Sequence, residues 1–171
     1  KSMNTKNFDE AKLKFTEGIK FFDEKKYELA EKKFLESLNL LPERLSTINN
    51  LIKIYVVTKN VEKLNEIITK YKKFENEKEI LFGEAYKSFF KKDFDQSIKI
   101  CNQIVNNNDS RYSIQDLLAS NFKNKDNFLK ALKIYKNKLL EYKNDYKIYY
   151  NIGCLLFELG KVHQANYYFE K

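Results

Sequence analysis

The sequence repeats one spacing of small and large residues about every 34 positions. In the first copy, Gly18 is followed twelve residues later by Ala30, and four residues after that by Phe34. The same offsets recur at Ala85, Ser97 and Cys101, at Ala119, Ala131 and Tyr135, and at Gly153, Ala165 and Phe169, with a degenerate copy at Ile52, Leu64 and Ile68. A period of this length is typical of helical repeat arrays, in which each unit buries its apolar face only by stacking on its neighbours.

Turn-forming residues fall between the predicted helices. Pro42 is the only proline, and a helix that reaches it has to end because proline lacks a backbone donor. Asn60, Asp93 and Asn127 lie at equivalent turn positions and predict N-terminal caps for the helices that follow. Gly160 occupies the corresponding turn of the last copy.

These features together resemble the tetratricopeptide repeat family, with about five repeats of which the last is incomplete. The resemblance implies an all-α, right-handed superhelical solenoid of antiparallel helix pairs. In that family small residues lie where the two helices of a repeat cross closely, as Gly18 and Ala30 do here. Ile52 and Leu64 depart from the pattern, so we expect the two helices of the second repeat to stand slightly further apart.

The expected organisation follows from this register. Residues 1–10 form an N-terminal segment, partly an expression remnant, and the first helix begins near Phe8. The repeat array covers residues 11–171, with repeats at about 11–44, 45–77, 78–111, 112–145 and 146–171.

Composition excludes several classes of protein. No run approaches the roughly 18 apolar residues that span a bilayer, and no signal-peptide pattern opens the chain, so we expect no membrane insertion and a cytoplasmic location. Cys101 and Cys154 lack a metal-binding spacing, and His163 is the only histidine. The four glycines form no phosphate loop, and carboxylates are dispersed beside lysines. We therefore expect no metal, no cofactor and no enzymatic activity.

The net charge of +8 raises the question of nucleic-acid binding. Every predicted repeat shares a mild excess of basic residues, and only one predicted helix is locally dense, with Lys130, Lys133, Lys136 and Lys138. Phosphate recognition favours a concentrated stripe or groove. The even spread fits solubility as well, so nucleic acid is not the favoured partner.

The resemblance also implies a binding surface. In tetratricopeptide arrays the first helix of each repeat lines a concave groove, and the residues three before, one after and four after its small position point into it. The groove residues predicted in this way are Phe15, Ile19, Phe22, Asn49, Lys53, Phe82, Tyr86, Phe89, Tyr150 and Phe157. A register error of one residue would instead place members of this set, such as Phe15 or Tyr86, in the core.

The function that we predict is a non-catalytic scaffold that binds a protein or peptide segment in this groove. Exposed aromatic side chains commonly dominate the energy of interfaces, which favours an apolar or amphipathic partner. Self-association is a second option for the same surface. The alternative function is an accessory domain of a larger enzyme or transcriptional regulator, in which the array mediates dimerisation or gating.

Overall fold

The computed structural model describes residues 2–106 and 112–171, and gives side chains for 4–106 and 114–171. Within those ranges the chain consists of α-helices, one 3₁₀ helix and turns, without a strand. The helices are α1 Ser2–Asp23, α2 Tyr27–Leu40, α3 Leu45–Val57, α4 Val61–Lys70, the 3₁₀ helix Lys72–Phe74, α5 Lys78–Phe90, α6 Phe94–Asn106, α7 Tyr112–Asn124, α8 Phe128–Glu141, α9 Tyr146–Glu158 and α10 Val162–Phe169. The prediction of an all-α chain is confirmed.

The chain divides into two compact units, Lys1–Phe90 and Lys91–Lys171. The first contains α1 to α5 and the second contains α6 to α10. None of the described helices is both long and apolar enough to cross a membrane.

The first helix begins earlier than expected. The sequence suggested a start near Phe8, whereas α1 is helical from Ser2. Phe8, Ala11, Phe15 and Gly18 follow one another at spacings of three and four, so they share one face of the extended helix. Ala11 is fully buried, and its carbonyl accepts a 2.7 Å hydrogen bond from the Ser37 hydroxyl of α2. This contact holds α1 on α2 within the part of the helix that was predicted.

The repeated triplet marks close helix crossings. The ring of Phe34 in α2 lies against Gly18 of α1, and in the second unit the ring of Phe169 lies against Gly153 of α9. Ala131 of α8 is completely buried in the hydrophobic core of the second unit. The small residues therefore admit bulky neighbours, as the sequence indicated.

The large residues of the second repeat are accommodated by Gly83, a glycine outside the repeated triplet. A Cβ on Gly83 of α5 would lie 3.2 Å from Ile52 Cγ2 and 3.2 Å from Ile68 Cδ1. Ile52 and Ile68 are both buried. Because Gly83 has no side chain, α5 leaves the space that Ile52 and Ile68 fill.

The turns within helix pairs have one recurring conformation. A residue with positive φ follows the first helix of each of the five pairs; these are Lys25 (61°), Lys59 (55°), Lys92 (63°), Asp126 (58°) and Gly160 (77°). In the first turn the amide of Lys25 donates to Phe22 O at 2.9 Å, and that of Lys26 donates to Phe21 O at 2.8 Å. This pair of bonds is a Schellman motif, which satisfies carbonyls at a helix C-terminus.

The predicted caps are confirmed. The side chain of Asn60 accepts from Lys63 N at 3.1 Å, and that of Asn127 accepts from Lys130 N at 3.3 Å. Asp93 accepts from Gln96 N at 3.2 Å. Each cap satisfies one backbone donor in the first turn of a helix, which sharpens the start of the second helix of its pair.

Candidate peptide-binding surfaces

The face of α1 that carries three predicted groove residues is partly exposed. Phe15, Ile19 and Phe22 are all half-buried. The ring of Phe15 packs edge-on against that of Phe34, with centroids 5.6 Å apart, and the Arg44 guanidinium lies 5.7 Å from its centroid. The packing leaves part of each side chain open to a ligand while fixing its position.

The same first unit presents Asn49 and Lys53 on α3. Both side chains are half-buried. Asn49 Oδ1 is buried and has no hydrogen-bond partner among the described residues. An acceptor in that state costs about 1–3 kcal/mol of desolvation.

The aromatic cluster of α5 differs from the prediction in one residue. Phe82 is only 4% exposed, so the prediction that it lines an accessible groove is wrong. Tyr86 and Phe89 are half-buried. Tyr86 contacts Phe82, with centroids 5.0 Å apart, and Phe90, at 6.0 Å. The ring of Phe82 is therefore the buried end of a row of aromatic residues on α5 whose rings contact one another at tilted angles.

The second unit contains the most exposed of the predicted groove residues. Tyr150 and Phe157 of α9 are 61% and 59% exposed. Tyr146, which the sequence reading missed, is also exposed and lies four residues before Tyr150. Spacings of four and seven place all three on one stripe of the helix. We call this set, Tyr146, Tyr150 and Phe157, the α9 aromatic face.

Two neighbours organise the α9 aromatic face. The ring of Phe169 in α10 lies 5.8 Å from that of Tyr150, centroid to centroid. A side-chain hydrogen bond with Cys154, one turn along α9, raises the pKa of the Tyr150 phenol. The ring contact with Phe169 restrains Tyr150 although most of its surface is exposed.

One of the four lysines on α8, the basic helix considered above for nucleic-acid binding, is buried in the interior. Lys138 of α8 is buried, forms an ion pair with Asp116 of α7, and lies 5.6 Å from the Tyr135 ring centroid. It is not available to a phosphate. Lys130, Lys133 and Lys136 remain exposed.

The part of the chain that the structure describes contains no cluster of three or more His, Cys, Asp or Glu side chains able to hold a metal. Both cysteines are free thiols. Burial of Cys101 raises its pKa to about 11, so it is a poor nucleophile at neutral pH.

No protein-family model matches the sequence, and no curated protein sequence matches it. Several solved structures do share its fold. A tetratricopeptide repeat protein from Parabacteroides merdae ATCC 43184 has a TM-score of 0.76 and 13% identity over 94% of this chain and 63% of its own. PilF from Pseudomonas aeruginosa has a TM-score of 0.74 and 11% identity, over 96% of this chain and 75% of its own.

A third similar structure is MamA, from residue 41 to its end, of Desulfovibrio magneticus RS-1. Its TM-score is 0.70 at 11% identity, over 95% of this chain and 92% of its own. The chain spans less than two thirds of the Parabacteroides protein but most of MamA. At these identities the likeness shows the fold. The chain has the tetratricopeptide-repeat fold, an array of antiparallel helix pairs, which confirms the resemblance predicted from the sequence.

Proposed function

We propose that this chain is a non-catalytic scaffold that binds an apolar or amphipathic protein or peptide segment through the first helices of its repeats. The observation that carries the proposal is the α9 aromatic face. Large apolar patches on a protein surface commonly mark interaction sites, and tyrosine is among the residues enriched at energetic hot spots.

The proposal includes the remaining expectations about the chain. We assign repeats at about 11–44, 45–77, 78–111, 112–145 and 146–171, and place the protein in the cytoplasm. The two free thiols are consistent with a reducing compartment. A basic surface reduced to Lys130, Lys133 and Lys136 favours a protein partner over a nucleic acid.

The test uses a displayed library of random 12-residue peptides, selected on the wild-type chain. We expect the selected peptides to be rich in apolar residues and to bind a Tyr150→Ala/Phe157→Ala variant at least tenfold more weakly, as loss of two hot-spot side chains predicts. Fluorescence anisotropy measures the dissociation constants. Thermal unfolding should be almost unchanged, because both side chains are mainly exposed.

The matched control is Leu140→Ala, which removes an exposed apolar side chain of α8 outside the α9 aromatic face. This control should bind the selected peptides as the wild type does. Equal binding by the double variant would contradict the proposal, and so would a loss of binding that is the same in the control.

A further inference from the structure

The outward side of α8 combines exposed leucines with lysines. The inward side of this helix is buried through Ala131, Leu132, Tyr135 and Lys138. The opposite side presents a single stripe with spacings of four, three and four residues, formed by Leu129, Lys133, Lys136 and Leu140. Leu129 is 65% exposed and Leu140 is 75% exposed. We call these four residues, together with the adjacent exposed Lys130, the α8 stripe.

The repeat pattern does not account for the two leucines. At the position of Leu129 the other repeats have polar residues, which are Glu28, Glu62, Asp95 and His163. At the position of Leu140 they have Asn39, Lys73 and Asn106. The packing of a repeat therefore needs no apolar side chain at either place. Both leucines are available for a contact outside the chain.

The lysines of the α8 stripe are available as well. In the part of the chain that the structure describes, no ion pair involves Lys130, Lys133 or Lys136. By contrast, Lys33 of α2 pairs with Glu17 at 3.0 Å. No residue from 129 to 140 is acidic. The stripe thus presents three unneutralised positive charges between and beside its two leucines, which makes it complementary to an anionic surface.

The spacing of the leucines bears on the kind of anionic surface. Leu129 and Leu140 are eleven residues apart, which is about 16 Å along the axis of a helix. Because the outside of a helix is convex, a protein partner would need two separate apolar pockets at that spacing with acidic groups between them. A lipid bilayer accepts apolar side chains at any spacing. Lysine stems are long enough to keep the ammonium groups at the level of the lipid headgroups.

We propose that the α8 stripe adsorbs to the surface of an anionic lipid bilayer. Leu129 and Leu140 lie among the outer parts of the lipid chains, and the three lysines lie at the anionic headgroups. The contact is peripheral, since the inward side of α8 stays packed in the protein. It does not involve the α9 aromatic face, so it does not depend on the proposed function. The peptide test of that function contains no lipid, and Leu140→Ala remains a control in it.

Sedimentation of sucrose-loaded vesicles measures the adsorption. One set of vesicles consists of phosphatidylcholine, and in the other about a third of the lipid is phosphatidylserine. At low salt the wild-type chain should partition at least tenfold more strongly onto the vesicles that contain phosphatidylserine. The partition coefficient should fall at least fivefold when the salt concentration is raised from about 0.05 M to about 0.3 M, because salt screens the attraction.

The leucines are tested at constant charge. Leu129→Gln/Leu140→Gln should weaken partition onto the anionic vesicles at least fivefold. The matched control is Leu13→Gln/Leu35→Gln, which changes two leucines of α1 and α2 that are 57% and 47% exposed. This control should partition as the wild type does. Circular dichroism checks that both variants keep their helices.

The lysines are tested against a variant of equal net charge. Lys133→Gln/Lys136→Gln should weaken partition at least fivefold. Lys12→Gln/Lys20→Gln removes the same charge from exposed positions of α1 and should change partition less than twofold. This comparison separates a localised contact from a general effect of the net charge.

A fluorescent label reports whether the stripe itself enters the lipid. An NBD group on Leu140→Cys, in a chain that also carries Cys154→Ser, should shift its emission to the blue with anionic vesicles because the dye leaves water. The same label on Leu29→Cys of α2 should show no shift. Cys101 is buried, so it does not compete for the label.

Four results would overturn the proposal. The first is the absence of wild-type binding to the anionic vesicles, and the second is equal binding by Leu129→Gln/Leu140→Gln. The third is an equal loss in the two lysine variants. The fourth is a loss on Tyr150→Ala/Phe157→Ala alone, which would assign the lipid contact to the α9 aromatic face. If the chain bound an acidic leucine-containing peptide but no vesicles, the α8 stripe would be a protein-binding surface instead.

Discussion

The ring of Phe34 occupies the space that a β-carbon on Gly18 would need. A Cβ built on Gly18 would lie 2.7 Å from Phe34 Cε1, and one built on Gly153 would lie 2.5 Å from Phe169 Cε1. The two crossings differ in their surroundings. Phe34 is fully buried, whereas Phe169 is 42% exposed. One ring is confined and the other has solvent into which it can move.

This difference predicts unequal effects of the same substitution. Gly18→Ala should lower the free energy of unfolding by about 1–3 kcal/mol, because the confined Phe34 ring has to be displaced. Gly153→Ala should cost less, since Phe169 can rotate outward and alanine favours the helix by up to about 1 kcal/mol. Urea unfolding followed by circular dichroism measures both. Equal losses would show that exposure of the ring does not govern the cost.

The positive-φ turns predict that some glycine substitutions stabilise the protein. Lys59 adopts φ 55°, a conformation that costs a non-glycine residue about 1–2 kcal/mol. Lys59→Gly should therefore raise the free energy of unfolding by about 0.5–1 kcal/mol after the entropy of glycine is subtracted. Gly160→Ala is the reverse control and should destabilise. A lower thermal midpoint for Lys59→Gly would contradict this account of the turn.

The buried ion pair of Lys138 and Asp116 predicts an asymmetry between its two partners. The Lys138 side chain is completely buried, while that of Asp116 is 39% exposed. Asp116→Asn removes a counter-charge of the buried Lys138 ammonium and should cost about 1–3 kcal/mol, less than the loss of a fully buried pair because Asp116 is partly exposed. Lys138→Met removes the buried charge and leaves a carboxylate that water can reach, so it should cost less. Chemical denaturation compares them, and the opposite order would refute the argument.

Burial of Cys101 predicts a loss of stability at alkaline pH. Its pKa is raised from 9.0 to about 11 in the folded chain because burial disfavours the thiolate. The unfolded chain therefore releases this proton first, and stability falls as the pH rises from about 9 to about 11. Burial raises the pKa of Tyr135 to about 12, which extends the trend. The difference in unfolding free energy between pH 8 and pH 10.5 should be smaller in Cys101→Ala than in the wild type.

Much of the fold could be predicted because its signals are local. The caps at Asn60 and Asn127 and the stop at Pro42 act within a few residues, and the repeated triplet defines the helix crossings. The start of α1 at Ser2 was not predicted because the polar residues before Phe8 carry little apolar spacing.

The exposure of individual site residues was harder to predict. Phe82 and Phe89 are the same residue type on one helix, yet only Phe82 is buried, since burial depends on which neighbouring helices each side chain meets. Lys138 looked like a surface residue by its charge. Its position corresponds to those of Tyr71 and Ile104 in the preceding repeats, and both of these residues are buried. The repeat period therefore predicts that residue 138 is buried, whereas the charge of lysine predicts that it is exposed.

The fit of Gly83 against Ile52 and Ile68 bears on how this protein could be redesigned. Repeat proteins are often treated as chains of exchangeable modules, each replaceable by a consensus sequence. Here Ile52 and Ile68 of the second repeat fill space beside Gly83 of α5, and α5 lies outside the second repeat. A consensus alanine at position 52 would leave a void next to Gly83, and a side chain at position 83 would force Ile52 and Ile68 to shift by a few tenths of an ångström. The unit that can be transplanted is therefore α3, α4 and α5 together.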